Sequence, residues 1–137
     1  MLALSPLLLG AGEHAGRLEV NLHGLRSDKG IVRLCLTRDA RYFPGCKGDP
    51  HARHLSAPAG KAASIAFADL PEGHYALSVF HDENANGELD KFAKIPREGF
   101  GFSRNPAIRF GPPHFGDVRF AVPAGQVRQD VRFRYIL

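Results

Sequence analysis

At 137 residues the chain has the size of one domain, long enough to bury a core without staples and short for two. Hydrophobic residues make up 44% and charged residues 23%, and 15 Gly with 10 Pro favour many short elements over a few long helices. The formal charge of +4 sits in the last third, where residues 97–137 hold seven Arg against three acids while residues 1–96 hold eleven of each sign. A basic face attracts phosphates, acidic glycans or anionic lipid. These arginines are dispersed and lack the interleaved aromatics that stack bases, which argues against a nucleic-acid partner.

In chain order, the apolar run from Met1 closes on the small triplet Gly10-Ala11-Gly12, the pattern of a secretory signal's apolar region and cleavage zone. It is too short to span a bilayer, and the positively charged n-region is missing, so a merely apolar terminus is the alternative. Residues 1–15 are therefore expected to be a signal remnant, and residues 16–137 a single exported domain, periplasmic or secreted, with no transmembrane segment. The two cysteines, Cys35 and Cys46, then read as a disulfide closing a short loop, worth about 2–3 kcal/mol through the unfolded chain. Two unrelated thiols are the alternative.

Alternation of period two recurs along the chain and no stretch keeps a helical period, which predicts an all-β domain. Leu18, Val20 and Leu22 mark a first strand, a turn follows over 24–30, and Val32, Leu34 and Leu36 mark a second. Residues 38–60, rich in Pro and Gly, are expected to be a long connection with room for one helical turn. Ile65 and Phe67 mark a third strand, and Tyr75, Leu77 and Val79 a fourth that runs into the segment at Asp82. The glycine-punctuated aromatic stretches 98–105 and 111–116 allow one weak or bulged strand. Val118, Phe120 and Val122 make a sixth. In the last, Val127, Val131, Phe133 and Tyr135 share one face, with Arg128, Asp130, Arg132 and Arg134 on the other. Seven short strands at this spacing fit a seven-strand antiparallel β-sandwich.

The richest local pattern is Asp82-Glu83-Asn84-Ala85-Asn86-Gly87-Glu88-Leu89-Asp90, which sets oxygen-bearing side chains at every second position around one glycine. An EF-hand-type loop uses positions 1, 3 and 5 for side-chain oxygens, glycine at 6, a backbone carbonyl at 7 and often water at 9. Those positions are Asp82, Asn84, Asn86, Gly87, Glu88 and Asp90, while position 12 is Ala93 instead of the usual Glu. Glu98, or a carbonyl near Ile95, completes the shell if the chain doubles back after Pro96. The candidate Ca²⁺ ligands are thus Asp82, Asn84, Asn86, Glu88, Asp90 and Glu98. Few of them are charged, so the expected affinity is that of extracellular modules, with dissociation constants of about 10⁻⁴–10⁻³ M. A hairpin held by Asx-turns accounts for the same residues without metal.

The run Leu70-Pro71-Glu72-Gly73-His74-Tyr75 through His81-Asp82-Glu83-Asn84-Ala85-Asn86-Gly87, continued by 95–105 and 111–115, resembles the bacterial secreted family called domain of unknown function 2141. The Leu-Pro-x-Gly-x-Tyr strand is also similar, more loosely, to prealbumin-like and collagen-adhesin B-type sandwiches. These resemblances imply a seven-strand Greek-key sandwich and imply no catalysis, since no activity is assigned to the family. Ala85 stands where that family usually has glycine, which stiffens the loop.

The expected role is therefore binding or structural, at the periplasm or cell surface, with a protein or glycan partner left open. Two rivals use other residues. A small periplasmic hydrolase would recruit His81, Ser103 and His114, although no Gly-x-Ser-x-Gly elbow is present. A metal-handling protein would use Cys46, His51 and His54, in a spacing that matches no standard zinc framework. Phe100, Phe102 and Phe115 either form an exposed patch for a ligand or cap one end of the core, where large apolar side chains usually lie.

Overall fold

The computed structural model describes residues 15–92, 95–109 and 111–137. The apolar N-terminal run and Ala93 lie outside the described residues. The elements are β1 (Ala15–His23), β2 (Ile31–Thr37), β3 (Arg53–Pro58), β4 (Ser64–Pro71), β5 (Gly73–Asp82), β6 (Lys91–Phe92), β7 (Ile95–Pro96), β8 (Phe100–Phe102), a short helix α1 (Phe115–Val118), β9 (Phe120–Val122) and β10 (Gly125–Arg132). Single 3₁₀ turns occupy Ala40–Tyr42 and Ala59–Lys61.

The class read from periodicity holds: the protein is all-β. One sheet has the order β10-β1-β4; the other runs β3-β2-β5-β8, with β9 also on β5; and β6-β7 is a separate two-stranded ribbon. Eight strands build the two sheets where seven were expected. The additional strand is β3, inside the stretch read as irregular. Its alternation is weak because Leu55 and Ala57 are only half buried on an edge strand, so little hydrophobic contrast marks it.

The sheets are mostly antiparallel, with one exception. β10 runs parallel to β1, pairing Leu18 with Val127 and Leu22 with Val131. Alternation carries no direction, so the sequence pattern was blind to this.

Both sheets bury their inward sets in one core: Leu18, Val20 and Leu22 of β1, Phe67 of β4 and Val131 of β10 face Val32, Leu34 and Leu36 of β2 and Leu77 and Val79 of β5. Exclusion of such apolar surface from water is the main stabilising term, about 1.5–3 kcal/mol for each large side chain. The outer face of the larger sheet is also covered. Ala76, Phe100, Phe102 and Val118 form a second buried cluster, flanked by the half-buried Phe43, Phe80, Ile108 and Phe115. The aromatics 100, 102 and 115 therefore lie over a sheet face rather than at the open end of the core.

The Gly-Phe-Gly-Phe run is explained by this double burial. β8 sends Phe100 and Phe102 outward and turns Gly101 toward the inter-sheet core, where a Cβ would stand 2.8 Å from Val131 Cγ1 and 3.0 Å from the Arg132 carbonyl. Only glycine lets β8 lie this close to β10.

Candidate functional site: the strand-end loop

β5 alternates Leu77, Val79 and His81 inward with Ala76, Ser78, Phe80 and Asp82 outward, and the loop begins where it ends. Asp82 is completely buried, with no solvent-exposed surface. Its Oδ2 accepts from Arg33 Nε at 2.7 Å and Gly87 N at 2.8 Å, and its Oδ1 from Asn86 N at 3.1 Å. Burial alone pushes this carboxyl up, but the Arg33 hydrogen bond, the two loop N–H groups and the Arg33 charge together hold it below its ordinary value. Gly30, at φ +69°, packs against the same strand end, and a side-chain carbon there would overlap the Asp82 carbonyl.

The remaining loop side chains converge. Asn84 Nδ2 donates to Asp90 Oδ2 at 2.5 Å and Asn86 Nδ2 to Asp90 Oδ1 at 2.8 Å. The same two residues accept through their oxygens, Asn84 from Asn86 N and Asn86 from Glu88 N, two positions on in each case, as Asx-turns do. Ala85 takes φ +56°, the left-handed conformation for which glycine is the natural choice. Glu88 is exposed, and only its backbone joins this ladder.

Glu98 reaches the loop and hydrogen-bonds its backbone. The doubling back occurs before Pro96, in the β6-β7 ribbon, where Lys91 pairs with Pro96. Glu98 is buried and bridges the two ends of the loop: Oε2 accepts from Glu83 N at 2.8 Å and Oε1 from Asp90 N at 3.0 Å. Beside it, Glu83 is clasped by Arg26 through Nε and Nη2. That hydrogen bond is the first cause of the lowered Glu83 pKa. Arg26 also lies 4.5 Å above the Tyr135 ring. Glu83, Asn84, Asp90, Glu98, Arg26 and Arg97 line an open cavity of about 690 Å³.

Of the six ligand candidates, then, Asn84, Asn86 and Asp90 meet at one point, Glu98 ties the loop's backbone, and the Glu88 side chain is exposed. Asp82, the position-one residue, has its oxygens taken by Arg33 and the loop. Arg33 was not singled out from the sequence. It lies on the neighbouring strand β2, opposite Phe80, and only the pairing of β2 with β5 brings its guanidinium to Asp82. Among the described residues no three His, Cys, Asp or Glu side chains are grouped to hold a metal ion.

The residues of the two rivals are not brought together. Ser103 is buried, its Oγ accepting from Leu77 N and donating to the Val118 carbonyl, so it ties β8 and α1 to β5. His81 lies four residues further along β5, about 13 Å at the rise of a strand. Its Nε2 faces the Lys29 carbonyl at 2.7 Å, which can only accept, and in a neutral ring Nδ1 then accepts from the Tyr135 hydroxyl at 2.8 Å. Burial pushes the Tyr135 hydroxyl up, keeping it a donor. His114 is exposed and faces Asp117. In the second rival, Cys46 is bridged to Cys35, with Cα atoms 6.4 Å apart, so its sulfur is no free thiolate for a metal. His51 and His54 are exposed.

The fold and this loop define a class: a small all-β protein of two mostly antiparallel sheets with an Asx-rich loop closing the end of a central strand. More particularly, the chain belongs to the family described as uncharacterized protein conserved in bacteria (DUF2141), which matches residues 20–130 and so takes in both the strand-end loop and the Gly-Phe-Gly-Phe run. No curated protein and no solved structure matches the chain. Among the described residues, no helix is long and apolar enough to cross a membrane.

Proposed function

We propose that this is an exported, non-catalytic binding or structural module of the bacterial cell envelope, whose strand-end loop takes up Ca²⁺ weakly to order the 82–98 segment. The observation that carries the reading is the convergence of Asn84 and Asn86 on the Asp90 carboxylate at the tip of β5. Two amide N–H groups stand there where a cation would neutralise the same carboxylate. Rotating each amide by half a turn presents two oxygens instead and gives up the two Asx-turn bonds from Asn86 N and Glu88 N, a cost that further weakens the site. The ligands are then Asn84, Asn86 and Asp90, with the Glu88 carbonyl and water; Asp82 and Glu98 act as the frame. So small a charge keeps the affinity near the millimolar range of extracellular modules. The disulfide supports export, because such bonds persist in oxidising compartments. In the same proposal the two sheets form a Greek-key sandwich of the prealbumin type, with residues 16–137 as one domain.

A second reading is favoured by one observation: the Asx ladder already satisfies Asp90 from within the chain, so the loop closes without metal. Calcium titration against thermal unfolding separates the two. With a dissociation constant of about 1 mM, roughly 10 mM Ca²⁺ stabilises the folded state by about 1.4 kcal/mol through mass action, a rise in Tm of about 5 °C for a domain of this size. Asp90→Asn removes the rise. An unchanged Tm in calcium leaves the loop as a hydrogen-bonded turn.

A further inference from the structure

The residues 38–52 between β2 and β3 fold back over the outer face of the larger sheet. Phe43 stands 5.7 Å from Phe102 and 6.2 Å from Phe115, ring centre to ring centre, closing the second apolar cluster. Beyond this contact the flap has few ties: Ser78 Oγ donates to the Pro44 carbonyl at 2.8 Å, Thr37 Oγ1 donates to Asp49 and accepts from Asp39 N at 3.0 Å, and Arg38 lies 5.6 Å over the Tyr75 ring. None of the seventeen buried side chains of the inter-sheet core comes from the flap. Its one covalent tie is the disulfide from Cys46 to Cys35 in the middle of β2. Cys46 holds φ +62°, a left-handed backbone that a non-glycine residue keeps only when its surroundings enforce it.

From this geometry we infer that the Cys35–Cys46 disulfide is a redox latch: its reduction by a dithiol releases the 38–52 flap and uncovers the aromatic face around Phe102 and Phe115, leaving the inter-sheet core folded. Cys35 is partly exposed whereas Cys46 is buried, so the incoming thiolate attacks Cys35 Sγ and Cys46 leaves. The reductant's second thiol then displaces Cys35. Two electrons and two protons pass to the cysteines, and the reductant ends as its own disulfide. The main core survives because both of its sheets are complete without the flap. The flap opens because three side-chain hydrogen bonds, one cation–π contact and the half-buried Phe43 do not offset the freedom of more than ten residues.

Hydrogen exchange on the reduced full chain tests this. The amides of Tyr42, Phe43, Cys46, Asp49 and Ala52 each bond a carbonyl inside the flap, and those of Leu77 and His81 report the larger sheet. With dithiothreitol the flap amides should exchange about 100-fold faster, the factor set by freeing a loop of this length. Leu77 and His81 should keep their protection, and binding of the dye 8-anilinonaphthalene-1-sulfonate should rise. The Cys35→Ser/Cys46→Ser variant should show the open pattern without reductant and no response to it. Ser78→Ala should speed flap exchange further in the reduced protein. Flap amides that stay protected once mass spectrometry shows both thiols free would overturn the latch. So would loss of protection at Leu77 and His81 together with the flap, because the bridge would then hold the whole fold.

Discussion

Asp82→Asn isolates the electrostatic frame of the loop. The native carboxylate receives three hydrogen bonds, from Arg33 Nε, Gly87 N and Asn86 N, with no contact to water. The amide has one oxygen. In its better orientation that oxygen keeps Arg33 and Gly87, while its NH₂ faces the Asn86 N–H, which then keeps only the Asn84 Oδ1 acceptor at 3.2 Å. Losing the Asn86 bond costs about 1 kcal/mol, and two bonds weakened from charged to neutral about 1 kcal/mol each, so we expect a loss of about 3 kcal/mol. For a chain of this length that is a fall in Tm of about 10 °C, read by circular dichroism near neutral pH. The pH dependence supplies the control. Because the folded Asp82 pKa lies below its ordinary 3.8, its contribution is fully present above that value and is lost as pH falls through the folded value. The gap between wild type and Asp82→Asn should therefore narrow as pH falls below 3.8 toward the folded value. A fall in Tm of less than about 3 °C, or a gap of constant size from neutral to acid pH, would refute the reasoning.

Three further substitutions test other parts of the structure. Gly101→Ala forces a methyl against Val131 and the Arg132 carbonyl and should cost about 1–3 kcal/mol in urea unfolding, while the same change at Gly116, where a Cβ has open space, should leave overpacking out of the result. Ala85→Gly relieves a left-handed alanine and should stabilise the protein by about 0.5–1 kcal/mol, visible as a higher denaturation midpoint at unchanged slope. Ser103→Ala strips the Leu77 N–H of its buried acceptor and should cost about 1–3 kcal/mol in the same assay; a neutral result would mean that the hydroxyl does not tie β8 to β5.

The sequence by itself determined the all-β class, the positions of β1, β2, β4, β5 and β10, and the composition of the strand-end loop. It could do so because a period of two and Asx-Gly chemistry are local properties: Leu18, Val20 and Leu22 must share a face in any extended chain, and Asn86-Gly87 turns wherever it stands. Tertiary structure alone decided that β10 lies parallel to β1, that β3 completes the larger sheet, and that Phe100 and Phe102 cover an outer sheet face. It also decided that Asp82 belongs to Arg33 instead of standing free for a ligand. Each of these depends on which strands become neighbours and in what register. That choice is made by burying two faces of one sheet at once, among residues dozens of positions apart, and no local pattern records it.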